Sequence, residues 1–195
     1  MYAGGGLNGY GYFYLENSYS TSKVNTLGDC AGGLIGKSNT VGVGSSNGGI
    51  GRTYVNNCFS TGQISGNNKV GGIIGELLRS TKDQGPGSSY IYITNIYTIG
   101  KVLGESNFEP ILGSYTETTE GKGKLAVSNV YWVPETTGLE DSTYGIMKNL
   151  ENMFYAKQFS TFEFNTIWKI DEGKSIPYLL NLDKPDIVNR ENIIY

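Results

Sequence analysis

Asn17-Ser18-Tyr19-Ser20, Asn57-Cys58-Phe59-Ser60, Asn95-Ile96-Tyr97-Thr98 and Asn129-Val130-Tyr131-Trp132 are four versions of one phrase, set 40, 38 and 34 residues apart. A chain that repeats at such an interval reads as a stack of similar units, each burying itself against the next. The columns extend upstream. Leu15, Val55, Ile93 and Val127 stand two residues before the Asn, and Tyr14, Tyr54, Tyr92 and Ala126 three before. A second half-unit recurs as Gly32-Gly33-Leu34-Ile35-Gly36, as Gly71-Gly72-Ile73-Ile74-Gly75 and, weaker, as Pro110-Ile111-Leu112-Gly113. Leu34, Ile73 and Ile111 are spaced by 39 and 38 residues, so both halves keep nearly one period.

The segments read as strands. Tyr90-Ile91-Tyr92-Ile93-Thr94-Asn95-Ile96-Tyr97-Thr98-Ile99 is rich in β-branched and aromatic residues and bounded by Gly and Ser. No apolar stripe at helical spacing occurs before about residue 140, and 27 of the 29 glycines precede Asp141, which disfavours helical repeat arrays. Two strand-plus-turn segments per period predict rungs of roughly 17 to 20 residues, a coil of a β-solenoid. Parallel stacking would set equivalent residues about 4.8 Å apart. The column Asn17, Asn57, Asn95, Asn129 is then expected at a turn of left-handed backbone, passing amide hydrogen bonds along the stack, as a structural device before a ligand row. Tyr19, Phe59, Tyr97 and Tyr131 are expected to form one ring ladder, and Tyr14, Tyr54 and Tyr92 another.

Asn57-Cys58-Phe59-Ser60-Thr61-Gly62-Gln63-Ile64 followed by Val70-Gly71-Gly72-Ile73-Ile74-Gly75 resembles the GLUG motif, a repeat of large bacterial surface proteins that include adhesins and the non-catalytic part of some immunoglobulin A peptidases. The resemblance is good from Tyr19 to Gly36 and fades in the third and fourth copies. Val130-Tyr131-Trp132, Thr136-Thr137-Gly138, Phe159-Ser160-Thr161-Phe162 and the stretch from Trp168 to Leu179 resemble the segment that commonly closes such arrays. The resemblance implies a β-helical scaffold exported to the cell exterior, and carries over no catalytic residues.

Composition adds an exclusion. The chain has no histidine, so Ser-His-Asp and Cys-His nucleophilic sites, the HExxH zinc helix and His-containing zinc sites are excluded together. A formal charge of −3 gives no reason to expect nucleic acid, and no apolar run is long enough to span a membrane. No cofactor is expected. Gly4-Gly5-Gly6 and Gly42-Val43-Gly44 lack the Lys and the strand-to-helix setting of a phosphate loop. Glycoside hydrolysis needs only two carboxylates, but the repeat-region acids Glu16, Asp29, Glu76, Asp83, Glu105, Glu109, Glu117, Glu120 and Glu135 are sparse and unrepeated. A lyase would want clustered acids with a nearby base, for which Asp83 with Arg79 and Lys82 is the nearest candidate, against the plainer reading of a solvated mixed-charge loop.

Cys30 and Cys58 lie 28 residues apart in different half-units, so no CxxC-type metal site exists. Cys58 shares its column with Ser18, Ile96 and Val130, which predicts an interior position; two unpaired thiols are expected, with a disulfide between neighbouring rungs as the alternative. Fifteen tyrosines suggest an aromatic contact surface for sugar or protein. Outside the ladders, Tyr10, Tyr12 and Tyr90, with Arg79, Lys82 and Asp83, are the candidate ligand contacts.

Residues 1–138 are thus expected to form a right-handed parallel β-helix (β-solenoid), with 41–51 and 79–89 as inserted loops, and residues 139–195 a small C-terminal α+β cap over its open end. Within the cap, Ser142-Thr143 predicts the start of a helix over 144–157, and 166–170 with 176–180 a hairpin about the turn Asp171-Glu172-Gly173-Lys174. Gly5-Gly6-Leu7-Asn8-Gly9 resembles a second half-unit with no first half before it, so the chain reads as a monomeric fragment beginning inside a repeat. The expected role is a non-catalytic stalk or adhesin-type binding module at the bacterial cell surface or in the extracellular medium, with a host or matrix protein or a glycan as partner and no direct membrane insertion. A polysaccharide-active β-helix and a purely structural spacer are the alternatives.

Overall fold

The computed structural model describes residues 6–10, 12–43, 49–82, 87–118 and 122–193. In chain order the strands are β1 (Gly6–Tyr10), β2 (Tyr12–Ser20), β3 (Val24–Asn25), β4 (Asp29–Gly32), β5 (Ile35–Val43), β6 (Ile50–Ser60), β7 (Ile64–Gly71), β8 (Ile74–Lys82), β9 (Ser88–Thr98), β10 (Val102–Glu109), β11 (Leu112–Thr118) and β12 (Lys122–Trp132). A one-turn helix α1 (Pro134–Thr137) follows, then β13 (Ile146–Met147), β14 (Trp168–Lys169) and β15 (Tyr178–Leu179). The molecule is mainly β, and its three large sheets are parallel. Sheet 1 runs β1-β5-β8-β11, sheet 2 runs β2-β6-β9-β12-β13, and sheet 3 joins β3 and β4 to β7 and β7 to β10.

Each period contributes to every sheet in the same order. After β1 the chain passes through sheet 2, sheet 3 and sheet 1, then returns to sheet 2 one strand further along. The register follows the sequence columns: Tyr14 pairs with Tyr54 and Tyr54 with Tyr92, while Ile35 pairs with Ile74. Neighbouring strands are therefore a full period apart. The row is the whole repeat of three strands, not the half-period of 17 to 20 residues expected from two strand signals. The third strand is hard to see because β7 (Ile64–Gly71) is Gly- and Asn-rich.

Alternation along sheet 2 turns Val55, Ile91 and Ile93 inward, where they join Ile35, Ile73, Ile74, Leu77 and Ile111 in one buried cluster. At the Asn column this alternation breaks. Asn17, Asn57, Asn95 and Asn129 have φ of 48°, 50°, 53° and 54°, the left-handed region that Asn tolerates best among non-glycine residues. One extra residue enters each strand there, so Val55 and Cys58 both face the interior and Phe59 faces out. The expected Asn ladder is present between rows two and three, where Asn95 Nδ2–H donates to Asn57 Oδ1 at 3.2 Å. The paired glycines have an equally direct cause. A Cβ on Gly72 would stand 2.2 Å from the Pro110 carbonyl oxygen and 2.9 Å from Thr98 Oγ1.

The C-terminal segment departs from expectation. No helix spans 144–157. Gly145 has φ 92°, Thr143 bonds to Glu109 through both its amide and hydroxyl, and Ile146–Met147 pair with Tyr131–Trp132 as β13. Two 3-10 turns, Leu150–Phe154 and Ala156–Gln158, follow instead. The spacing of Leu150 and Phe154 belongs to one such turn. The hairpin does form, as β14 against β15, with Gly173 at φ 72° in the turn.

Two parts of the tail pack against the repeats in different places. Leu139 packs against the interior clusters and Tyr144 against the larger of them, while Ile146–Met147 add the edge strand of sheet 2. The remainder folds back along the outside of sheet 2. Phe59, Tyr97 and Tyr131 share one buried cluster with Phe154, Phe159, Phe162, Trp168 and Tyr178. Tyr19 and Phe59 stack at 4.9 Å and Phe59 and Tyr97 at 5.0 Å, as the ladder reading expected, whereas Tyr131 meets Phe159 edge-on at 5.3 Å.

Candidate binding face

The same alternation that buries Val55 and Ile93 places the other set of side chains on the outer face of sheet 2. Nearer the start of the strands, beyond the reach of the tail, this face carries two columns. One reads Tyr12, Arg52, Tyr90, Lys124, and the next Tyr14, Tyr54, Tyr92, Ala126. Tyr12 and Tyr14 are 57% and 56% exposed; Lys124 is exposed, and the other members are half-buried.

The second column is a continuous stack. Tyr14 and Tyr54 lie 4.8 Å apart with planes 2° from parallel, and Tyr54 and Tyr92 lie 5.0 Å apart at 11°. Their ring faces are turned toward one another, leaving edges to meet a ligand. In the first column the guanidinium of Arg52 lies 5.2 Å from the Tyr12 ring centroid and 5.8 Å from that of Tyr90. Arg52 also donates to the Tyr12 hydroxyl at 2.6 Å, so it is held by Tyr12 on one side and Tyr90 on the other. The Lys124 ammonium stands 6.0 Å from the Tyr92 ring. Among the described residues neither cation has a carboxylate within ion-pair distance.

The candidate contacts read from the sequence do not gather in one place. Tyr12 and Tyr90 flank Arg52 on this face. Tyr10 lies in a different sheet, ending β1 opposite Val41, and Lys82 ends β8 opposite Val43. Asp83 lies outside the described residues. Arg79 is corrected outright: it is 2% exposed, donates to the Ser89 carbonyl at 3.1 Å and to the Tyr115 hydroxyl at 3.1 Å, and pairs with Glu117. It is an internal tie between sheets 1 and 2. The expected insertions shrink accordingly, because 79–82 and 88–89 belong to β8 and β9, and 41–43 and 50–51 to β5 and β6.

A second group of charges proves structural. Glu76, 2% exposed, accepts Lys37 Nζ at 2.7 Å, Lys69 Nζ, and the Cys30 thiol at 3.3 Å. Burial works to raise its pKa, and the three donors outweigh it, holding the carboxyl below its ordinary range. Burial and the hydrogen bond to Glu76 push the Cys30 thiol up to about 11, and burial pushes Cys58 up to about 12. Neither is a nucleophile near neutral pH. Both are unpaired, as expected, and Cys58 is fully buried in its predicted column. Cys30 and Lys69 also have positive φ, 66° and 55°, as does Asn107 at 46° in the next row. This second left-handed column escapes the sequence because its residue type changes at every step. Among the described residues no three His, Cys, Asp or Glu side chains form a metal-ligand set.

Compared with family models, curated proteins and solved structures, the chain matches none of them.

Proposed function

We propose that this chain is a non-catalytic binding module of a bacterial surface or secreted protein, built as a right-handed parallel β-helix whose tyrosine face on sheet 2 engages a host or matrix protein or a glycan. The observation that carries the reading is the partly exposed pair of columns around Arg52, placed where the tail does not cover the sheet. Support for the β-helix comes from the fixed order in which each period visits sheets 2, 3 and 1 and pairs in parallel with the next. Crossovers between parallel strands are right-handed in nearly all proteins, which supports the hand. Membership among GLUG-repeat proteins, and with it the extracellular location, rests on the motif at Asn57 to Gly75; the positive φ of Asn57 and the tight contacts at Gly72 give those motif residues a physical reason to recur.

The test is a binding screen of the chain against glycans and extracellular matrix proteins, repeated with Tyr54→Ser and Tyr92→Ser. The expected result is a ligand whose affinity falls about tenfold or more in either variant while the chain still folds cooperatively, as for aromatic contact residues elsewhere. A ligand bound equally well by both variants would place the binding surface elsewhere. Cleavage of an uronic-acid polymer in the same screen would replace the module with an enzyme.

A further inference from the structure

We infer that the ligand of this face is an acidic linear polysaccharide with at least one anionic group per disaccharide, lying along the stack across β2, β6, β9 and β12. The inference rests on the binding-module reading and adds the ligand class. Three observations carry it.

The first is charge. Arg52 is clamped between the rings of Tyr12 and Tyr90 and held by the Tyr12 hydroxyl, yet among the described residues no carboxylate neutralises it. A guanidinium with its position fixed and its charge unmet suits a carboxylate or sulfate, which accepts two parallel N–H donors from the same fork. The chain as a whole carries −3, so this cation is a local reversal of sign and not part of a general basic coat.

The second is spacing. Arg52 and Lys124 occupy one column two rows apart, with Tyr90 between them. Two rows of a parallel sheet span about 10 Å. That is the length of a disaccharide in an extended pyranose chain, so anions on alternate sugars would meet the two cations in turn and each row would face one sugar.

The third is the state of the rings. Because the faces of Tyr14, Tyr54 and Tyr92 are stacked on each other, the middle of the column is closed to the face-on contact by which tyrosines hold neutral sugars. Ring edges and polar groups remain, and these suit a polar, charged chain.

The experiment measures binding of the whole chain to hyaluronan, chondroitin sulfate, a neutral cello-oligosaccharide and poly-glutamate, at low and at physiological salt. Arg52→Gln, Lys124→Gln, Tyr54→Ser and, as a control just before β10, Lys101→Gln are compared. We expect binding to hyaluronan, chondroitin sulfate or both, the choice telling whether carboxylate suffices or sulfate is needed, with loss of about tenfold or more in Arg52→Gln and Lys124→Gln and none in Lys101→Gln. Binding should weaken as salt rises. Equal loss in Lys101→Gln, or equal binding of poly-glutamate, would reduce the effect to nonspecific attraction and overturn the inference. Binding of the neutral oligosaccharide that is lost in Tyr54→Ser but kept in Arg52→Gln would overturn the inference and leave the binding module standing. Failure to bind any of these probes, together with no ligand in the wider screen, would remove both.

Discussion

Asn57 performs two tasks that separate on substitution. Its backbone sits at φ 50°, and its side-chain oxygen accepts from Asn95 Nδ2 at 3.2 Å and from the Trp168 indole N–H at 3.3 Å. Asn57→Gly keeps the backbone region and loses the acceptor, for a cost of about 1–2 kcal/mol. Asn57→Ala adds left-handed strain and is expected to lose about 2–4 kcal/mol. Urea unfolding of both checks the order; equal losses would show that the backbone angle contributes nothing. Glu76 offers a pH test. Its folded-state pKa lies below the ordinary 4.5, so its stabilisation is complete above that value and is lost as pH falls through the lower folded-state value. Glu76→Gln should therefore be less stable than the parent at pH 7 by about 1–3 kcal/mol, discounted because the Lys37 side chain is 45% exposed, and the gap should close in acid. A gap that persists unchanged at pH 3 would mean the pairing with Lys37 and Lys69 is not its source.

The elements show where a sequence advertises its structure. Columns that repeat a residue type, such as Asn17 to Asn129 or Tyr14 to Tyr92, were legible, and so was the interior place of Cys58 among Ser18, Ile96 and Val130. Arg52 was not, because its column reads Tyr, Arg, Tyr, Lys and only the pairing register reveals that these four share a line. The tail misled for another reason: one 3-10 turn with Leu150, Met153 and Phe154 buried imitates a helix stripe over so short a span. The strand register yields its own prediction. Ile93 is fully buried between Val55 and Val127, and Ile93→Asp would leave an unpaired charge in the narrow interior. A loss of more than about 4 kcal/mol is expected, enough to unfold the stack. Retention of the parent melting temperature would refute the inward register of β9.

At the scale of the molecule, the tail is the least repetitive part and touches all four rows of sheet 2. Its removal, by deleting residues 148–195, would bare Phe59, Tyr97 and Tyr131 as one contiguous apolar strip, and the expected outcome is a soluble but self-associating chain that binds a hydrophobic dye. A monomeric truncation by size-exclusion chromatography would show that the tail is dispensable cover. A milder probe is Tyr97→Phe, which removes the buried hydroxyl that donates to the Pro177 carbonyl. The expected cost is about 1–2 kcal/mol, read as faster proteolysis within the tail.

The tail also spans four successive rows of sheet 2. The Tyr19 hydroxyl donates to the Asp183 carbonyl in row one, Trp168 reaches Asn57 in row two, Thr161 reaches Asn95 in row three, and Phe159 meets Tyr131 in row four. A simple stack gains or loses a repeat at little cost, because each unit knows only its neighbours. Here the returning chain measures the stack like a ruler laid against it. Duplicating a row between β6 and β9 would carry Tyr19 out of reach of residue 183, so the four rows it crosses are held at that number by a segment that belongs to none of its repeats.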